Sequence, residues 1–276
     1  MNPVLKSSKL VIFDLDGTLY EGTDHFDYYA NHLKQNVPQS QQLDFWRDYT
    51  AMKDGHHPVQ IGKGYDVKRD YILTIDPMTI SVQSVQTWDG SYVPAEEWET
   101  LYSDPVSFDF ETIIAVGDGW WYPFVTAKHY GVEDCYASYV ATKEYMVTDE
   151  FELTPLPGLR EGLIELKATK EIVLVTNSDR EDVQRLLHEL HLHDVFNHII
   201  TSAKKPTRTT DIFKEVVHQY EVDMSQVVSV GDNFMNEIAQ ALTLGMQGIY
   251  IHPQRASEVA HDHLTVIRSV VELFKN

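Results

Sequence analysis

The sequence predicts an α/β protein whose parallel sheet is interrupted by a large inserted domain, and three observations predict it. From about residue 154 onward, short apolar runs alternate with amphipathic helical segments, the pattern of strands joined by crossover helices. Far upstream, Lys9-Leu-Val-Ile-Phe13 is a lone strand-like run, apolar enough to be buried on both faces, and it needs that same sheet for neighbours. Between the two, residues 21–151 break the alternation. The expected division is therefore a core of residues 1–20 and 152–276, with residues 21–151 inserted after the first strand.

Taken in order, the first strand ends in Asp14-Leu15-Asp16-Gly17-Thr18-Leu19-Tyr20. Ligands of open parallel sheets bind beyond the carboxyl ends of the strands, so carboxylates there stand at a site. Two acids so close repel each other unless a cation shares them. The plainer reading, an acidic turn, rests on Asp-Gly being common turn chemistry. In the insert, residues 24–36 and 39–52 carry helical apolar spacing, with Tyr28, Ala30 and Leu33 on the first and Leu43, Trp46 and Tyr49 on the second. Residues 80–88 alternate like a strand, and 113–116 form another apolar run. The rest of 55–151 shows no clean period, only dense Tyr and Trp.

Regularity returns with helices expected at residues 159–169, 180–190, 211–220 and 234–244, the last stopped by Gly245. Strands are expected at 171–176, within 195–201, at 227–230 and at 247–251, with a last helix over 264–274.

The chain has 276 residues, 43% of them hydrophobic, enough for a full core. Its longest apolar runs are too short to span a bilayer, and the first residues lack the apolar stretch of a signal peptide, so no membrane partner is expected. Cys135 is the single cysteine, which excludes a disulfide framework and a thiolate cluster and favours a cytoplasmic location. A formal charge of −20 disfavours nucleic acid, whose phosphates are captured by surplus Lys and Arg. An anionic substrate would need a local cation to reverse the field.

Every later strand also ends in polar residues: Thr176-Asn177-Ser178, then Thr201-Ser202 with Lys204-Lys205-Pro206 close behind, then Gly231-Asp232-Asn233 with Glu237 five residues past Asp232. Together with Asp14-Leu-Asp16-Gly-Thr-Leu, these resemble the four ordered motifs of the haloacid dehalogenase superfamily over roughly residues 5–22 and 152–276. The resemblance implies a Rossmann-like core with the insert as a cap closing over the site. It implies hydrolysis of a phosphate monoester of a small metabolite, with magnesium as cofactor. Asp14 would be the nucleophile, forming an aspartyl-phosphate, and Asp16 the acid that protonates the leaving oxygen and then deprotonates water. Asp14, the backbone carbonyl of Asp16, and Asp232 would bind magnesium through oxygen. Thr176, Asn177 and Lys205 would contact the substrate, Lys205 also pairing with Asp14, and Glu237 would hold a metal-bound water or the lysine. Lys204 competes with Lys205 for that place. Glu237 stands where the family more often has aspartate. Asp16 itself favours phosphoryl chemistry, because the dehalogenases of this superfamily lack a second aspartate there.

Other features read more plainly. Gly117-Asp118-Gly119 imitates the last motif but has Pro123 where the second acid belongs, so a turn of the insert is expected. Gly62-Lys63-Gly64 reads as a turn, His56-His57 and His261-Asp262-His263 as solvated loops, and Trp120, Trp121 and Tyr122 as core. Lys63, Lys68 and Arg69 read as a solvated face. A phosphomutase on the same core and a binding protein that has lost turnover are the rival functions.

Overall fold

The computed structural model describes residues 2–109, 111–148, 150–151, 153–252 and 259–275. The chain divides into two compact units, Met1–Glu21 with Leu153–Asn276, and Gly22–Glu152. Glu152, where the sequence places the return to the core, lies outside the described residues. In chain order the strands are β1 (Leu10–Phe13), β2 (Lys63–Asp66), β3 (Tyr71–Asp76), β4 (Ser81–Gln86), β5 (Ile113–Ala115), β6 (Glu171–Val175), β7 (His198–Ile200), β8 (Val227–Gly231), β9 (Gln247–Ile251) and β10 (Leu264–Ile267).

The split unit is built on a six-stranded sheet of order β10-β9-β8-β1-β6-β7, parallel throughout. β1 is wholly buried between β6 and β8, which is why its sequence is apolar without alternation. Helices Leu159–Lys167, Arg180–Glu189 and Thr209–Gln219 each bury one apolar stripe, such as Val183, Leu186 and Leu187 on the second. Leu10 and Ile12 of β1 pack with Val173 and Val175 of β6 against Ile212, Phe213, Val216 and Val217. Each such side chain withdrawn from water contributes about 1.5–3 kcal/mol before entropy is charged against it.

The tail corrects the expected helix over 264–274. Leu264–Ile267 is instead strand β10, paired parallel with β9, and only Val270–Leu273 coils, as a 3₁₀ turn. Thr265, Val266 and Ile267 are β-branched and suit a pleated edge better than a helix. The expected helix at 234–244 is present but begins with a π-helical turn, Phe234–Ile238, that continues into Ala239–Thr243.

The inserted unit joins helices Asp24–Gln35, Gln42–Lys53, Trp121–His129 and Tyr136–Tyr145 to an antiparallel sheet of order β4-β3-β2-β5. The sheet is spliced into the chain between the second and third of these helices. Tyr29, Ala30, Leu33, Phe45, Tyr49 and Ala127 form one helical core, with Trp120 and Tyr122 packed against it as expected. Tyr65, Ile72 and Ile114 of the sheet meet Met52, Val59 and Val125 in another. Gly62 is a turn at φ 92°, but Lys63 and Gly64 already open β2, where the sequence suggested turn alone. Gly117–Gly119 does lie in this unit, between β5 and helix Trp121–His129.

A polar lock ties sheet to helices. The Trp88 indole N–H and the Tyr130 hydroxyl donate to Asp48 Oδ2 at 3.0 and 2.7 Å, and Arg47 donates to Oδ1. The His129 ring stacks on Trp88, centroids 3.8 Å apart. His57, expected in solvent, is buried, its ring packed edge-on to Trp88 with centroids 4.6 Å apart and its Nδ1 accepting the Val59 N–H at 3.0 Å. Among the described residues, no helix is long and apolar enough to cross a membrane.

Candidate active site

Because β1, β6, β7 and β8 run parallel, their carboxyl ends gather on one edge of the sheet, the strands after β1 lying on both its sides. Phe13, Leu174 and Val230 stand in register, so Asp14 follows β1 level with the ends of β6 and β8. Its N–H donates to Val230 O at 3.0 Å, fixing the nucleophile candidate to the neighbouring strand. Three of the groups singled out by sequence meet here directly. Lys205 Nζ donates to Asp14 Oδ1 at 2.7 Å, to Glu237 Oε1 at 2.6 Å and to Val175 O at 3.0 Å. All three ammonium donors are thereby used, and the side chain is 2% exposed. The pairing with Asp14 is present, whereas a contact from Lys205 to a phosphate would have to replace one of these bonds. Lys204 is exposed, so geometry separates the two lysines that sequence left in competition.

Burial pushes the carboxyl groups of Asp14 and Glu237 upward in proton affinity, and the shared lysine pulls both back. Burial also works against the Lys205 charge, but the two carboxylates outweigh it and hold the ammonium protonated. Asp14, Asp232 and Glu237 each bring a carboxylate oxygen to within 4.8 Å of the others. Carboxylate oxygens gathered this closely in a largely buried place are hard donors that suit a divalent cation such as magnesium. The donor set fits.

Glycines make the close approach possible. At Gly17, with φ +72°, a Cβ would fall 2.1 Å from Asp232 Oδ2. At Gly231 it would meet Glu237 Cγ at 2.9 Å. Glu237 Oε2 accepts the Asn233 N–H at 3.2 Å, and Asn233 Oδ1 caps the π-helical turn through the Asn236 N–H at 2.9 Å. The longer acid is held at both oxygens, by Lys205 and by its own turn.

Asp16 takes a separate course. Its side chain meets hydroxyl groups: Tyr20 on Oδ1 at 2.5 Å, Ser178 on Oδ2 at 2.9 Å and Thr176 on Oδ2 at 3.4 Å. Thr176 also accepts the Ser178 N–H at 3.1 Å. Asn177, expected to contact substrate, turns its amide to the Lys205 main chain, accepting its N–H at 2.7 Å and donating to its carbonyl at 3.1 Å. That reciprocal pair positions Lys205 through its backbone. Sequence reasoning passed over Tyr20, Ser178 and Asn233. Each sits inside a quoted motif, and a hydroxyl or amide beside an acid was the available signal.

The family described as haloacid dehalogenase-like hydrolase matches residues 8–242. Glyceraldehyde 3-phosphate phosphatase from Pyrococcus abyssi is 28% identical over 103 residues, 36% of this chain and 42% of that protein. The chain thus spans less than half the length of this curated relative. The HAD-hydrolase YfnB from Bacillus subtilis, solved with magnesium bound, shares the fold at a TM-score of 0.58 with 16% identity, 97% of each chain being covered. A haloacid dehalogenase-like family hydrolase from Xanthomonas campestris superposes at 0.49 with 17% identity over 95% of this chain and 91% of its own. With its α/β core, its large insertion and a family match over most of its length, the chain belongs to the haloacid dehalogenase-like hydrolases.

Proposed function

We propose that this hydrolase is a magnesium-dependent phosphomonoesterase that acts on a small phosphorylated metabolite through an aspartyl-phosphate on Asp14. The observation that carries the reading is the contrast between two acids two residues apart. Asp14 is buried and tied to Lys205, whereas Asp16 is half-buried and held by hydroxyl groups. Acids in unlike surroundings divide nucleophilic from acid–base work.

In the first half-reaction a carboxylate oxygen of Asp14 bonds to phosphorus as the bond to the leaving oxygen breaks. The departing electron pair takes the proton held by Asp16. In the second, water gives a proton to Asp16 while its oxygen bonds to phosphorus, which frees Asp14 as a carboxylate. Lys205, locked by Asn177 and by its three acceptors, keeps Asp14 oriented. Thr176 takes a phosphoryl oxygen, whereas the N-terminus of helix Arg180–Glu189 already carries acids, Asp179 accepting the Asp182 N–H with Glu181 beside it. Asp14, Asp232 and the Asp16 backbone carbonyl would hold magnesium, which when bound offsets the charge between nucleophile and ester. Glu237 remains the partner of Lys205. The name of the Pyrococcus abyssi relative, a phosphatase of a three-carbon phosphate, supports a small phosphorylated substrate. The cytoplasm suits such a substrate and the lone buried thiol of Cys135.

The test is turnover of 4-nitrophenyl phosphate with magnesium, with chelator, and in Asp14→Asn. Activity that chelator abolishes and Asp14→Asn lacks is expected, with free phosphate as the product. Activity persisting in Asp14→Asn ends the nucleophile assignment, and phosphate returned to an organic acceptor makes the protein a mutase.

A further inference from the structure

We propose that Tyr20 and Ser178 form a two-sided clamp on Asp16, acting as positioning residues that aim its proton at the leaving oxygen before substrate arrives. The proposal rests on the reading of Asp16 as the acid–base group. The two oxygens of that carboxyl are held from opposite segments of the chain: Oδ1 by the Tyr20 hydroxyl at 2.5 Å, Oδ2 by the Ser178 hydroxyl at 2.9 Å. One donor follows β1 and the other follows β6, two strands paired side by side in the sheet.

The placement of Tyr20 is built into the turn after β1. The Leu19 N–H donates to Leu15 O at 2.8 Å, Gly17 takes the left-handed conformation, and residues 16 and 20 pair as a β-bridge. The Tyr20 ring is 2% exposed, so its phenol is anchored by packing and cannot swing to another partner at low cost. An aspartate side chain free in solvent samples several rotamers. Held at both oxygens, this one spends its orientational entropy during folding rather than during catalysis. The nucleophile has partners of its own, the Lys205 ammonium at its side chain and Val230 O at its backbone N–H.

A misaimed acid has a signature that general damage lacks. Esters whose leaving group departs readily as an anion need little proton donation, and basic leaving groups need it most. The experiment therefore measures kcat/KM for 4-nitrophenyl phosphate, phenyl phosphate and an alkyl phosphate in the wild type, Tyr20→Phe, Ser178→Ala and Asp16→Asn. The ratio kcat/KM reports events up to leaving-group departure, so the later use of Asp16 as base does not mask the effect. Tyr20→Phe, which keeps the ring and removes the hydroxyl, is expected to lose about tenfold more on phenyl and alkyl phosphate than on the nitrophenyl ester, as befits the loss of one hydrogen bond that orients the acid. Ser178→Ala should lose in the same sense, and Asp16→Asn more steeply than either.

Equal losses on all three esters in both hydroxyl variants, with Asp16→Asn still discriminating, overturn the clamp and leave Asp16 as the acid. No discrimination in Asp16→Asn overturns the acid assignment itself. Should Tyr20→Phe fold poorly by thermal unfolding, Ser178→Ala carries the same prediction from the other oxygen and decides it.

Discussion

Lys205 carries three donors and a charge, and the protein uses all of them internally. Removing it leaves Asp14 and Glu237 buried face to face. Lys205→Met is expected to abolish turnover and to cost about 3–5 kcal/mol of stability, measured by urea unfolding. A cost below about 1 kcal/mol would mean that the two acids relax by protonation or by admitting water. Gly17→Ala sets a Cβ against Asp232 at a backbone angle that favours glycine. A raised magnesium requirement for activity is expected, with little change at saturating metal if Asp232 can shift aside. Asp14, Asp16, Thr176 and Asp232 were legible as candidates in the sequence because each stands just past a strand end, and Lys205 and Glu237 because they follow such ends in a recognisable order, Glu237 within the next helical turn. The work of Tyr20, Ser178 and Asn177 was not, since it depends on which atom faces which across the sheet edge, and spacing does not encode that.

At the scale of elements, the strands and helices of the core were readable because burial on both faces and one-sided helical stripes leave different periods. The end of the chain was misread because four residues of edge strand and one turn of 3₁₀ helix are too short to display either period. In the insert, β2 and β3 hold only 4 and 6 residues, and the two later helices are aromatic or small on several sides, so no single stripe emerges. The lock around Asp48 and His57 then supplies a pH dependence. Burial lowers the His57 pKa from 6.5 to about 4, against a smaller opposing pull from Asp48. Burial pushes Asp48 upward, but hydrogen bonds from Trp88, Tyr130 and Arg47 outweigh it and hold that carboxyl low. Above pH 6.5 His57 is neutral in both the folded and the unfolded chain. Below that the unfolded chain binds the proton first, so stability falls until about pH 4, by up to about 3 kcal/mol. Asp48 adds to the loss below this window. Thermal unfolding of wild type and His57→Phe at pH 7 and pH 4.5 checks this, a smaller drop in the variant being expected.

Across the whole molecule, a charge of −20 surrounds a site that is read as accepting an anion. Screening this repulsion should raise kcat/KM for a phosphate ester about two- to threefold between roughly 0.01 and 0.15 M salt at fixed magnesium. A fall over the same range would show that positive potential local to the site governs encounter. Composition gave the sign of the overall field, but only the sheet order shows why acids far apart in the chain close around one lysine.

The central strand has a consequence for biosynthesis. Asp14 and its lysine are separated by 191 positions, and both strands that flank β1 lie beyond the insert. A ribosome therefore releases the segment bearing the proposed nucleophile long before anything exists to lay beside it. A nascent chain that stops short of β8 leaves at least one edge of this apolar strand uncovered and lacks Asp232 and Glu237. Hydrolysis of a reporter ester during translation would then mark the moment the final partner arrives, making activity a stopwatch for completed folding.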